Sequence, residues 1–294
     1  MNFGQSFRLA VKSLTTSKMR ALLTMLGIII GVGAVIVILS LGNGLTGMVQ
    51  QQVDKLGINM IQAQFFGGTA DRLPDPEDMY DMVEANADIL TGVSPYLGVN
   101  AVVRHGSDKF DRTSLYGVSE IMYNAATGYT IDGEQLAKGR FISYMDVERR
   151  ENICIIGAYL EQEAFDGDAL GKQLSIDGRP LTVVGVLKRN AELEMLPGSQ
   201  DDQIYLPYTT ALEIIGSRWV NFYIFTSSSG ETAQAAKNIL VSWLNDFFRT
   251  DDGEYRYFYV ITMAEQANQI NAMMGVAMGV LVAIAAISLL VGGI

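Results

Sequence analysis

The chain has 294 residues, of which 49% are hydrophobic and only 18% charged, with a formal net charge of −11. The acidic balance argues against a nucleic-acid binder, which needs a basic face. The lone cysteine, Cys154, excludes an internal disulfide and a cysteine zinc cluster, and the lone histidine, His105, excludes paired-histidine metal sites and leaves one residue around which a Ser-His-Asp triad could form.

A soluble domain carries about 25% charged residues, so charge is missing somewhere. At the N-terminus, Phe3, Phe7, Ala10, Val11 and Leu14 recur at roughly helical spacing, with Arg8 and Lys12 on another side. This predicts a short amphipathic helix on a membrane surface, or else an extension of the helix that follows. Residues 21–53 then run for 33 positions with no Asp, Glu, Lys, Arg or His. Their apolar core, residues 22–41, is long enough to cross a bilayer, which takes about 20 helical residues. A signal peptide would have a shorter core of about 7 to 15 residues and an A-x-A-like site. An uncleaved anchor is therefore expected.

In the middle, strands are expected at 57–66, 99–104, 112–118, 152–156, 173–176, 181–187, 203–206, 219–226 and 255–261. Helices are expected at 76–88, where Pro76 suits a helix start, and at 158–165, 208–215 and 231–248. Asp177-Gly178 predicts a hairpin turn between two of the strands. Residues 191–202 read as the clearest flexible loop. A last helix is expected from Ala264 onward into a second uncharged run, 266–294, whose apolar core is 273–294.

The fold expected is therefore two transmembrane helices flanking a mixed α+β domain with two subdomains. The inner subdomain would be built from both chain ends and the outer one inserted. The division is 1–20, a cytoplasmic amphipathic helix; 21–42, the first transmembrane helix; 43–272, the extracytoplasmic domain; and 273–294, the second transmembrane helix. Residues 1–53 carry four basic residues, Arg8, Lys12, Lys18 and Arg20, and no acidic one, whereas residues 54–265 carry net −15. Basic flanks stay cytoplasmic, so the N-terminus is expected inside and the middle domain outside.

Chemistry-bearing motifs are few. Gly42, Gly44 and Gly47 fit G-x-G-x-x-G, but a dinucleotide fingerprint must follow a strand and open a helix. Gly171-Lys172 suggests a P-loop, but Gly167 lies one residue too close and Gln173 follows the lysine instead of Ser or Thr. Gly27 with Gly31, and Gly275 with Gly279, form G-x-x-x-G pairs suited to close helix packing. Asp71, Asp75, Glu77 and Asp78 read as a solvated helix start, His105 as a surface loop residue and Cys154 as a buried strand thiol. No catalytic, cofactor-binding or metal-binding residue is expected.

Several stretches carry a resemblance. Residues 20–32 (RALLTMLGIIIGV), 40–44 (SLGNG) and 56–61 (LGINMI) are joined by Gly139-Arg140-Phe141, Asp146-Val147, 153–157 and Gly171-Lys172. They continue in 180–187 with Gly185, in 202–207 ending at Pro207, and in 287–294. Gly157 closes the 153–157 stretch. Together these resemble MacB-type ABC transporter permeases, the MacB/FtsX-like group with a periplasmic core domain. The resemblance implies a bacterial inner-membrane permease subunit that is not itself an enzyme. It implies a homodimer and a cytoplasmic ATPase that binds the ATP, fused N-terminally in some members and expected here as a separate subunit, and in some members a periplasmic adaptor. ATP hydrolysis would move the outer domains for export. The family has four membrane helices, so a C-terminal truncation at Ile294 is expected. The alternative class is a sensor or chemoreceptor with a ligand-binding domain between two membrane helices.

Overall fold

In a computed structural model, the structure describes residues 18–56, 59–66, 73–124, 129–131, 133–190, 194–250 and 257–293. The expected amphipathic helix, with Arg8 and Lys12, lies outside them. The chain divides into two compact units, Met1–Gln52 with Glu265–Ile294, and Val53–Ala264.

In the first unit, helix α1 (Lys18–Leu56) carries the first apolar run and the last helix of the chain, Met263–Gly293, carries the second. Both contain segments long and apolar enough to cross a membrane, Met25–Gly42 and Met263–Ile287. Leu22, Met25, Ile29, Ile36 and Val37 on one helix, and Met273, Val276 and Ile287 on the other, are exposed. Such apolar surface all round suits lipid and not a soluble core.

The second unit holds two main sheets. Its strands in chain order are β1 (Met60–Phe65), β2 (Leu90–Pro95), β3 (Leu97–Val99), β4 (Val103–His105), β5 (Asp108–Phe110) and β6 (Ser114–Val118). There follow β7 (Tyr123–Asn124), β8 (Tyr129–Thr130), β9 (Leu136–Gly139), β10 (Ile153–Ile156), β11 (Gln173–Ile176) and β12 (Arg179–Leu187). The last are β13 (Gln203–Pro207), β14 (Phe222–Ser227) and β15 (Phe258–Thr262). The helices are α2 (Pro76–Ala85), α3 (Tyr144–Glu148), α4 (Ala158–Phe165), α5 (Tyr208–Ile215) and α6 (Ala233–Phe248), and the final membrane helix is α7 (Met263–Gly293).

The first sheet has order β15-β1-β14-β2 and is antiparallel throughout. It is made from the strand after α1, the strand before α7 and two strands between, as expected of an inner subdomain built from both chain ends. The second sheet has nine strands, ordered β3-β6-β13-β10-β12-β11-β4-β5, with β9 also pairing β12. All nine lie between residues 97 and 207, so this subdomain is inserted within the first. Parallel pairing of β10 with β12 and of β6 with β13 gives it a mixed sheet. Central strand β10 is buried at every position, Ile153 to Ile156, which explains its continuous apolar run.

Several expectations shift. The single strand expected at 99–104 is two strands, β3 and β4, which pair with different partners. The break falls where the Val102 N–H donates to the Asp177 carboxylate at 2.8 Å. The strand expected from Trp219 begins at Phe222, and Trp219 is exposed. His105 ends strand β4 and does not sit in a loop; its Nδ1 lies 3.1 Å from the Gln173 carbonyl. The expected loop 191–202 is anchored at its end, where Asp201 and Asp202 are buried. The Asp202 carboxylate there accepts from Thr113 Oγ1 at 2.7 Å and from the Gly198 N–H at 2.7 Å. Asp177 and Gly178 both have positive φ, +47° and +84°, the geometry that the expected hairpin turn requires.

Candidate functional site

The residues singled out by sequence fall into two sets, one on the membrane helices and one in the nine-stranded sheet. On α1, Lys18 opens the helix and Arg20 lies in its first turn. Gly31 is buried and Gly27 half-buried. On α7, a Cβ added at Gly275 or Gly279 would meet open space. A different glycine makes the close contact: at Gly42 a Cβ would overlap the Met278 thioether. Gly42, Gly44 and Gly47 all lie inside the continuous helix α1, which runs from Lys18, so helix and not strand precedes them and no dinucleotide fingerprint forms.

The second set converges on one node. Gly139 ends β9 opposite Gly185 of β12. Gly139 has φ +77°, and a Cβ there would overlap the Val184 carbonyl; a Cβ at Gly185 would overlap the Arg140 carbonyl. The two glycines therefore let two backbones cross at a separation no side chain permits. The crossing fixes the next residue. Arg140 makes a bidentate pair with Asp146, Nη1 to Oδ2 at 2.5 Å and Nη2 to Oδ1 at 3.0 Å. Asp146 also completes a capping box with Ser143 at the start of α3, accepting from the Ser143 N–H at 2.8 Å. Burial raises the Asp146 carboxyl, but the hydrogen bonds from Arg140 and Ser143 outweigh it and hold the group below its ordinary value.

Phe141, buried next in sequence, stacks on Tyr123 with ring centroids 5.2 Å apart and meets Tyr205 at 5.9 Å. The rings continue through Tyr116 (5.8 Å) and Tyr96 (5.1 Å) to Phe222 (5.9 Å). Tyr96 is the single residue between β2 of the first sheet and β3 of the second. The Ser119 N–H donates to Ser94 Oγ at 3.0 Å at the same place. The node and the crossing between sheets thus belong to one packed seam. Beside it, burial and the nearby Glu120 carboxylate push the Tyr208 hydroxyl up to about 12. Burial also raises Glu120 itself.

The remaining matched residues serve turns. Gly157 caps α4, where a Cβ would overlap the Asp201 carbonyl. Pro207 is the last residue of β13 and the cap of α5, a place where a missing N–H costs nothing. Gly171 has φ +76°. The N–H groups of Gly167, Gly171 and Lys172 already donate to the carbonyls of Glu161, Val183 and Ala169. Those three amides are therefore not available to cradle a phosphate.

Asp75 and Asp78 form the capping box of α2, with Asp78 N–H to Asp75 Oδ1 at 3.0 Å. Burial pushes the Cys154 thiol up, so the thiolate is suppressed. Among the described residues no three His, Cys, Asp or Glu side chains gather as a metal site. The first sheet carries β1, which follows α1, and β15, which ends at Thr262 with α7 starting at Met263. No loop separates that strand from that helix. Sequence reasoning placed the helix but missed the significance of Tyr96, because one aromatic residue between two short strands gives no periodic signal.

A family described as the MacB-like periplasmic core domain matches residues 21–242. The chain is 29% identical over 300 residues to the macrolide export ATP-binding/permease protein MacB of Neisseria gonorrhoeae, covering 99% of this chain and 44% of that protein. It is 28% identical over 298 residues to the uncharacterized ABC transporter permease YknZ of Bacillus subtilis, covering 100% and 72%. The chain therefore spans less than half the length of the MacB protein it matches. Among solved structures, the periplasmic region of MacB from Actinobacillus actinomycetemcomitans aligns with TM-score 0.58 and 18% identity over 76% of this chain and 97% of that one. The extracellular domain of YknZ from Gram-positive bacteria aligns with TM-score 0.54 and 17% identity over 69% and 100%. Both likenesses are of fold.

Proposed function

We infer function from one premise: the chain belongs to the MacB-like periplasmic core domain family. The chain is the permease part of an ABC transporter, with its α+β domain outside the membrane and its N-terminus in the cytoplasm of a bacterial cell. It works as a homodimer with a separate ATPase subunit, and an extracytoplasmic adaptor is a further partner. ATP bound by the ATPase moves the membrane helices, and the helices move the outer domain to drive export. The permease itself does no covalent chemistry.

One observation carries this reading. Strand β15 passes into membrane helix α7 with no intervening residue, and its neighbour β1 follows α1. A displacement of either helix therefore acts on the same small sheet. The charge asymmetry, no acidic residue in 1–53 against net −15 in 54–265, supports the orientation. The sensor alternative is not favoured, because the family and the relatives named above are those of ABC transporters.

The test is nucleotide binding with and without the partner. Labelled ATP should bind the purified permease–ATPase complex and not the purified chain. Saturable micromolar binding to the chain alone would overturn the division of labour.

A further inference from the structure

A cleft of about 490 Å³ opens at the C-terminal end of α5, lined by Arg150, Thr209, Leu212, Glu213, Ser217 and Arg218 among others. Its charge is unlike that of the domain around it. Glu213 is the one carboxylate among these residues, and it is shared by two guanidinium groups. Arg179 holds it at 2.7 Å and Arg150 at 3.3 Å. Arg218 is exposed and, among the described residues, has no hydrogen-bond or ion-pair partner. Two lining arginines, Arg150 and Arg218, against one glutamate that Arg179 also neutralises from outside the lining leave a positive cleft in a segment of net −15.

The hydroxyls in the cleft are already committed. Thr209 Oγ1 donates to the Val147 carbonyl at 2.8 Å, and Ser217 Oγ donates to the Trp219 carbonyl at 3.2 Å. The donors left for a ligand are the guanidinium groups, which match planar oxyanions such as carboxylates. The shape narrows the source. Pockets for small organic ligands are lined mainly by apolar side chains, and here Leu212 is the one large apolar residue. The volume is far larger than one carboxylate group needs.

We propose that this cleft receives carboxylate side chains of an acidic polypeptide segment, with Arg150 and Arg218 as the receiving groups. Glu213 acts as an internal competitor: it occupies Arg150 through the longer of its two ion pairs, and an incoming carboxylate takes its place. This site is independent of the transport reading. Arginines near a helix C-terminus also complement the helix dipole, and α5 has no basic residue in its last turn. The two roles part at the arginines. A purely dipole-neutralising role predicts that removing Arg150 and Arg218 lowers stability and leaves anion binding at the background level of the parent. The receiving role predicts that anion binding falls.

The test is fluorescence anisotropy of labelled hexaglutamate with the full chain in neutral detergent at low ionic strength. The peptide should bind, and binding should weaken with added salt. The double variant Arg150→Ala/Arg218→Ala should bind roughly tenfold more weakly, as two exposed ion pairs allow. Both side chains are exposed, so folding is preserved. Glu213→Gln should bind several-fold more tightly. No binding by the parent, equal binding by the double variant, or weaker binding by Glu213→Gln would each overturn the site. Displacement of the peptide by citrate at matched carboxylate concentration would overturn the polypeptide source in favour of free carboxylates.

Discussion

Asp146 keeps its charge at a buried position because Arg140 grips both its oxygens and Ser143 donates to one of them. Its folded-state pKa lies below the ordinary 3.8. A carboxyl group depressed in this way contributes stability above its unfolded pKa and loses it as pH falls through the folded value. The contribution is therefore whole at neutral pH and drains away below about pH 4. Asp146→Asn should lower stability at pH 7 by about 1–2 kcal/mol, the range for a charge-assisted pair with one exposed partner. The gap between parent and variant should close as the pH falls toward 3. Thermal unfolding of the purified chain across that range is the measurement, and an unchanged gap would show that Asp146 acts through shape alone.

At the scale of elements, the β15–α7 junction is the place where stiffness matters. A short Gly-Ser linker between Thr262 and Met263 replaces a rigid connection by a flexible coil. The outer domain should still fold, because all strands of both main sheets lie N-terminal to the insertion. ATP hydrolysis by the assembled transporter should persist while the ATP-dependent change in energy transfer between outer domains disappears. A retained change would show that force enters the domain elsewhere. Much of this architecture was legible in the sequence. Helices α4 and α5 and strand β11 occupy the expected residues, since each is a periodic run bounded by clear stops. The elements missed were those without periodicity. Strand β2 reads LTGVSP, whose Gly, Ser and Pro are turn residues. Helix α3 is five residues long, and of it only Asp146-Val147 carried a signal, as part of the family resemblance. The Gly139–Gly185 crossing appeared as two separate family-matching glycines; pairing of β9 with β12 brings them together.

The whole molecule combines two helices whose surfaces suit lipid with a domain whose two sheets share a packed seam. Tyr96 and the rings on either side of it pack across the crossing between the two sheets. The proposed function requires the outer domain to move as one body when the ATPase binds ATP. That claim is most directly tested by the distance between spin labels at Ser107→Cys in the two copies of the assembled transporter. Ser107 lies in the exposed turn between β4 and β5, and Cys154 is fully buried and will not take label. Pulsed electron resonance would compare the nucleotide-free complex with one trapped in the ATP-bound state. The label–label distance distribution should shift on ATP binding. Superimposable distributions in the two states, with the ATPase active, would contradict it.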